Sequence, residues 1–256
     1  MRLAGHHALV TGGGTGIGAA IARTLAAEGA RLTLVGRRLE KLKETAEEIA
    51  SRQGVHCAVA DVTDRAQVDA AFASARDVHG PISILINNAG VAGSAPFAKV
   101  TAEAWRHVMA VNLDALLHCC QAALPDLLQV QHGRIVTIAS TAGLRGYAYT
   151  APYVAAKHGA VGVTRALAAE LAKADVTVNA VCPGFTGTEI VADAIATISA
   201  TTGRSEEEAI AELTRFNPQG RLITPDEVAD TVLWLCLPES RSITGQAIAV
   251  AGGEVT

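Results

Sequence analysis

The chain has 256 residues, half of them hydrophobic, and a net charge of −4 at neutral pH. These figures fit one sizeable α/β domain and exclude the basic footprint of a nucleic-acid binder or a polybasic membrane patch. No leader pattern and no apolar run long enough to cross a bilayer is read, and five cysteines without CxxC spacing read as reduced, buried thiols; the expectation is a cytoplasmic protein with no membrane partner.

In chain order, the first apolar run, 6–11, reads as a strand. Thr11-Gly12-Gly13-Gly14-Thr15-Gly16-Ile17-Gly18 follows it, and Ile17, Ile21 and Leu25 recur at four-residue spacing, which predicts a helix over 16–28 stopped by Gly29. Glycines between a strand and a helix let backbone approach a pyrophosphate, which the helix N-terminus then faces with unpaired N–H groups. A plain flexible turn is the competing reading. Further strands are expected at 31–35, 55–60, 82–86, 133–139, 176–181 and 246–250, and helices at 39–52, 64–79, 101–128, 151–173 and 225–236. The alternation predicts a single doubly wound, Rossmann-type α/β domain over 1–256, with a parallel sheet of about seven strands and helices on both faces. One stretch, 184–223, breaks the rhythm; it reads as a substrate lid, with a surface excursion as the alternative.

Tyr153 and Lys157 are four residues apart in the helix over 151–173, so they share a face. A cation beside a phenol favours phenolate, which predicts a lowered pKa for Tyr153 and makes it a candidate acid/base. Ser140 closes the strand before it. Each residue taken singly has a bland reading: a packed tyrosine, a surface lysine, a turn serine. No histidine shows a metal-ligand spacing, so no catalytic metal is expected.

The second strand ends in Gly36-Arg37-Arg38. A carboxylate that would hold a ribose 2′-hydroxyl is missing, and Arg37 and Arg38 can meet a 2′-phosphate. This favours NADP(H), with NAD(H) as the alternative and decoration of the next helix as the bland reading.

With these motifs placed, the chain resembles the short-chain dehydrogenase/reductase family from end to end. The likeness rests on Thr11-Gly12-xxx-Gly16-Ile17-Gly18, Asp61-Val62, Asn87-Asn88-Ala89-Gly90, Asn112, Ser140, Tyr153-xxx-Lys157 and Pro183-Gly184-xxx-Thr188. Softer similarity, in 151–159, 178–185 and 224–229, is to the 3-oxoacyl-thioester and polyketide ketoreductases. The resemblance implies reversible hydride transfer between a nicotinamide dinucleotide and a secondary alcohol/ketone pair. Tyr153 would be the acid/base, Lys157 would stabilise phenolate and bond the nicotinamide ribose, and Ser140 would hold the substrate oxygen. Asn112 would distort its helix and order a water linked to Lys157.

By the same resemblance the cofactor set is Gly12, Thr15, Gly16, Ile17, Gly18, Arg37, Arg38, Asp61 and Val62 toward the adenosine, and Asn88, Gly90, Tyr153, Lys157, Pro183, Gly184, Thr186 and Thr188 toward the nicotinamide. Asn88 stays open between bracing strands and touching cofactor. The implied substrate is a 3-oxoacyl or 3-hydroxyacyl thioester on coenzyme A or a carrier protein. Arg145, Arg204, Arg215 and Arg221 are candidates for its phosphates, solvated or paired arginines being the plainer reading. Rival readings are an NAD-dependent alcohol or cyclic-alcohol dehydrogenase, a non-catalytic dinucleotide-binding regulator, and a nucleotide-sugar epimerase or dehydratase. Broad apolar faces on the helices over 101–128 and 151–173 suggest subunit packing, and related enzymes imply a homotetramer.

Overall fold

The computed structural model describes residues 1–49 and 54–255. Its seven strands are β1 (His7–Thr11), β2 (Arg31–Gly36), β3 (Val55–Val59), β4 (Ile84–Asn87), β5 (Gly133–Ile138), β6 (Val176–Pro183) and β7 (Ala247–Val250). They form one all-parallel sheet in the order β3-β2-β1-β4-β5-β6-β7. Strand order reverses between β1 and β4, and that switch point opens a crevice at the carboxyl ends of the strands. The unbroken apolar runs have their reason here: every residue of β1, β4, β5 and β6 is buried, because helices cover both faces.

The helices are α1 (Gly16–Ala27), α2 (Leu39–Glu48), α3 (Arg65–His79), α4 (Ala102–Met109), α5 (Ala115–Leu127), α6 (Ala151–Glu170), α7 (Glu189–Thr202), α8 (Glu206–Thr214) and α9 (Pro225–Cys236). One face of the sheet packs against α1, α2 and α9 through Ile21, Leu25, Leu42, Val228 and Leu235. The other packs against α3, α5 and α6 through Phe72, Leu116, Ala123 and Leu171. Local chemistry sets several boundaries. Asp64 accepts from the Ala66 and Gln67 N–H groups and starts α3, which Gly80 ends at φ 77. Ser205 and Thr224 each form a reciprocal capping box, with Glu208 and Glu227.

Several expectations need revision. The helix over 101–128 is not continuous: residues Ala110–Asp114 form a π turn between α4 and α5. The whole stretch Ala102–Leu127 is 26 residues and apolar enough, by composition, to cross a bilayer, contrary to the sequence reading; here it lies partly buried against the sheet. The helix over 151–173 ends sooner, at Glu170. The helix over 39–52 is seen to Glu48, and 50–52 lie outside the described residues.

The excursion 184–223 is clasped at its base. Ile223 N–H donates to Phe185 O at 2.9 Å, and Gly187 N–H donates to Ile223 O at 2.9 Å. Between these bonds the chain rises as α7, largely exposed, and α8, which buries Ala209 and Thr214.

Phe72 is fully buried between α3 and the sheet. Phe72→Ala should destabilise the fold by about 3–5 kcal/mol through the cavity it leaves. Denaturant unfolding checks this; a loss below ~1 kcal/mol would show that the face collapses around the change.

Candidate active site

The glycine loop is shaped by close approach. A Cβ on Gly12, which sits at φ 63, would lie 2.8 Å from the Asn88 amide nitrogen. Asn88 Nδ2 donates to Thr11 O (2.9 Å) and Gly12 O (3.1 Å), while Thr11 Oγ1 accepts from the Asn88 and Ala89 N–H groups. Asn88 therefore braces the loop after β4 against the loop after β1. Thr15, the N-cap of α1, makes no side-chain cap, and the first turn holds no acidic residue. The N–H groups at that terminus are thus open to an anion.

An open cleft lies above the switch point, lined in part by Gly12, Thr15, Arg37, Arg38, Asp61, Val62 and Gly90. The Asp61 carboxylate accepts from Thr63 N–H and Thr63 Oγ1, which holds it below its usual range. Gly36 stands where an acidic strand end was looked for, and Arg38 pairs with Glu189 at the start of α7 at 3.2 Å. Ile17 and Gly18 face inward rather than lining the cleft: Ile17 packs on the core and Gly18 is pressed against Gly12 O. Thr188 reaches the loop, its Cγ2 3.1 Å from where a Cβ on Gly16 would stand. Thr186 is buried, and its hydroxyl donates to Gly184 O at 3.0 Å.

Ser140, Tyr153 and Lys157 come together deeper in. Ser140 ends the segment after β5 and caps the 3₁₀ turn Thr141–Gly143, accepting from Ala142 N–H at 3.1 Å. Gly143 lets that turn lie on α6, since a Cβ there would sit 2.8 Å from Lys157 O. The Ser140 hydroxyl then stands beside the Tyr153 phenol, close enough to favour the phenolate form. Lys157 is 5 % exposed and donates to Ile138 O at 2.8 Å, with Nζ 5.6 Å from the centre of the Tyr153 ring.

Electrostatics revise one expectation. Tyr153 is raised above the ordinary phenol value, not lowered: burial dominates, and the Ser140 hydroxyl only partly offsets it. Burial likewise pulls Lys157 down to about 8. Sequence shows which charges are neighbours but not how dry their surroundings are.

Asn112 sits in the π turn. Its Nδ2 donates to Val91 O and Val108 O, both at 2.9 Å, and its Oδ1 accepts from Val91 N–H at 3.3 Å. A Cβ on Gly90 would lie 3.0 Å from Asn112 Oδ1 and 3.7 Å from Lys157 Nζ, so the three converge. A π turn of this kind is a frequent device at functional sites.

Sequence reasoning passed over Cys182, a buried thiol beside the Ser140 backbone. It also passed over Glu254, to which the Tyr147 hydroxyl donates. The candidate phosphate-binding arginines separate: Arg204 and Arg215 pair with Glu212, and Arg221 pairs with Glu227 at 2.6 Å, which leaves Arg145 stacked over Phe216.

A parallel sheet with a glycine cradle at its switch point and a Ser-Tyr-Lys cluster beside it defines the class of dinucleotide-dependent oxidoreductases. Residues 6–199 match the family model described as short chain dehydrogenase, and the chain belongs to the short-chain dehydrogenase/reductase family, whose members act on the CH–OH group. It is 41 % identical over 249 residues to a protein assigned as a ketoacyl reductase of the granaticin polyketide synthase of Streptomyces violaceoruber, covering 96 % of this chain and 92 % of that one. It is 36 % identical over 250 residues to a D-beta-hydroxybutyrate dehydrogenase of Rhizobium meliloti, covering 96 % and 97 %. A crystal structure of a phenylalanine-to-tryptophan variant of actinorhodin polyketide ketoreductase with NADPH superposes with a TM-score of 0.93 at 38 % identity, covering 97 % of each chain.

Lys157 gives a stability test. Its folded value, about 8, lies below the unfolded 10.5. At pH 7 the ammonium is charged in both states and its desolvation opposes folding by a few kcal/mol. Between pH 8 and 10.5 the unfolded chain binds more protons, so this contribution to stability rises with pH. Lys157→Met should therefore raise Tm at pH 7, with the advantage shrinking as pH climbs toward 10; a lower Tm at pH 7 would contradict this.

Proposed function

We propose that the protein is an NADP(H)-dependent reductase of a 3-oxoacyl thioester. The observation that carries this reading is the convergence of Ser140, Tyr153 and Lys157 beside a cleft whose adenosine end holds Arg37 and Arg38 and no strand-end carboxylate. The cleft fits a dinucleotide: the loop cannot accept a Cβ at Gly12, and the α1 N-terminus is uncapped. When bound, the nicotinamide supplies the hydride.

This chain's residues do the rest. The Ser140 hydroxyl donates to the ketone oxygen and orients it. Tyr153 is protonated at neutral pH, and burial strengthens that state by raising the phenol further, which suits a proton donor in the reductive direction. Lys157 contributes a cation that stabilises the phenolate left behind, and its ammonium is the proton reserve nearest the phenol. Because the Asn112 amide is committed to Val91 and Val108, we place the Asn112 contribution in its backbone, freed by the π turn. The backbone at Gly90 would hold the ribose of the dinucleotide, and Pro183, Gly184, Thr186 and Thr188 would hold its nicotinamide end. The α7–α8 excursion serves as the lid. Exposed Leu117, Val163 and Trp105, on α5, α6 and α4, support a homotetramer, and the relatives' biosynthetic and metabolic roles support a cytoplasmic location.

The thioester rests on the ketoacyl reductase relatives. Similarity to D-beta-hydroxybutyrate dehydrogenase favours a second reading, oxidation of a small hydroxy acid. A panel of 3-oxoacyl thioesters and 3-hydroxybutyrate, with each cofactor, separates them. The higher kcat/KM should fall to thioester reduction with NADPH; a preference for 3-hydroxybutyrate with NAD would reject the first reading. Tyr153→Phe should lower kcat by about 10²–10⁴-fold while leaving NADPH affinity near the parent's. Near-parent turnover in that variant would refute the mechanism. Arg37→Glu should raise KM for NADPH far more than for NADH; equal effects would remove Arg37 from phosphate recognition.

A further inference from the structure

A buried carboxylate stands beside this site with no role in the steps above. Glu254 is 9 % exposed and accepts a hydrogen bond from the Tyr147 hydroxyl. The same hydroxyl lies 2.7 Å from Thr141 Oγ1. A phenol has one proton; with that proton given to the carboxylate, its oxygen accepts from the Thr141 hydroxyl. Thr141 follows Ser140 directly and opens the 3₁₀ turn that Ser140 caps. On its other side Glu254 abuts the end of β6, where a Cβ on Gly184 would lie 3.1 Å from its Oε2. The carboxylate is thus wedged between the turn that carries Ser140 and the Pro183-Gly184 segment.

The tail is held in place by more than this contact. Arg145 Nη1 donates to the Glu254 carbonyl at 3.4 Å, and its guanidinium lies over the Tyr147 ring at 5.3 Å and the Phe216 ring at 4.7 Å. Tyr147 meets Phe185 edge-on at 6.2 Å. Gly252 and Gly253, at φ 60 and 92, turn the chain into this position against Asn217 and Pro218. Burial and the Glu254 bond both push Tyr147 ionisation upward, so the phenol stays a neutral donor across the working range.

We propose that Glu254 is a positioning residue for ketone reduction: through Tyr147 and Thr141 it fixes the Ser140 turn against the end of β6. The proposal rests on the reading of Ser140 and Tyr153 given above. Loosening the chain Glu254–Tyr147–Thr141 lets the serine hydroxyl stray from the ketone oxygen. Cofactor affinity is spared: Gly184, which Glu254 abuts, is held independently by its N–H bond to Val250 O at 3.0 Å, and neither Glu254 nor its hydrogen-bond partners line the dinucleotide cleft.

The test uses the full-length enzyme with ethyl acetoacetate as a neutral 3-oxo ester, and compares Glu254→Ala, Glu254→Gln, Tyr147→Phe, the Tyr147→Phe/Glu254→Ala double variant and Tyr153→Phe. Glu254→Ala should lower kcat/KM by about tenfold to a hundredfold, the scale expected of misplacement, with NADPH Kd within about twofold of the parent. Glu254→Gln, whose carbonyl accepts the same bond, should recover activity to within about threefold of the parent. The double variant should be no worse than either single one, because both cut one chain. A kcat/KM within about twofold of the parent in Glu254→Ala, or in Tyr147→Phe where the alanine variant does not fold, overturns the proposal. Additive losses, or NADPH affinity falling in step with activity, overturn it equally. Retained activity in Tyr153→Phe would overturn the catalytic reading and this proposal with it, whereas an inactive Tyr153→Phe beside a fully active Glu254→Ala overturns this proposal alone.

Discussion

A lysine ammonium held in a nearly dry place is the constraint on which the rest of the site turns. Lys157 is buried on α6, and one of its protons is spent on the Ile138 carbonyl. Its burial opposes folding, so the scaffold must over-determine its position. It does so through the sheet: β5 presents Ile138, and the 3₁₀ turn after it lies flat on α6 because Gly143 has no side chain. The same arrangement brings Ser140 to Tyr153. One geometric relation between a strand end and a helix therefore sets all three groups.

The cleft beside them follows from the topology. Reversal of strand order between β1 and β4 leaves the carboxyl ends of both strands facing open space, and the Asn88 amide ties their loops together. The loop at Gly12 keeps its shape because nothing larger fits there. At the far rim Arg38 reaches across to Glu189, so the start of α7 and the Arg37-Arg38 edge of the cleft touch through an exposed ion pair. Such pairs add little to stability, and this one leaves the guanidinium within reach of solvent.

Much of this was legible in the chain. Strand-helix alternation and the unbroken apolar strands report burial on both faces of a sheet, and helical spacing alone puts Tyr153 and Lys157 on one side of α6. What escaped has physical causes. The direction of the Tyr153 shift depends on desolvation, which a list of neighbouring charges does not reveal. The arginines at 204, 215 and 221 follow the plainer reading, as paired groups, but sequence does not name their partners, Glu212 and Glu227, which helix packing and capping set. Glu254 carries no local pattern at all; its place beside Tyr147 comes from two left-handed glycines and a contact more than a hundred residues away. Cys182 read as an ordinary buried thiol, and only the β5–β6 register sets it beside the Ser140 backbone.

The most direct test of the account is the titration of Lys157 itself, followed by NMR of ¹³C-labelled lysine in the cofactor-free enzyme and assigned by loss of the signal in Lys157→Met. A midpoint near 8, well below the 10.5 of a solvated lysine, is the result expected of an ammonium confined by this packing. Titration at the ordinary value would show that the group is hydrated, and the dry Ser140–Tyr153–Lys157 arrangement described above would be contradicted.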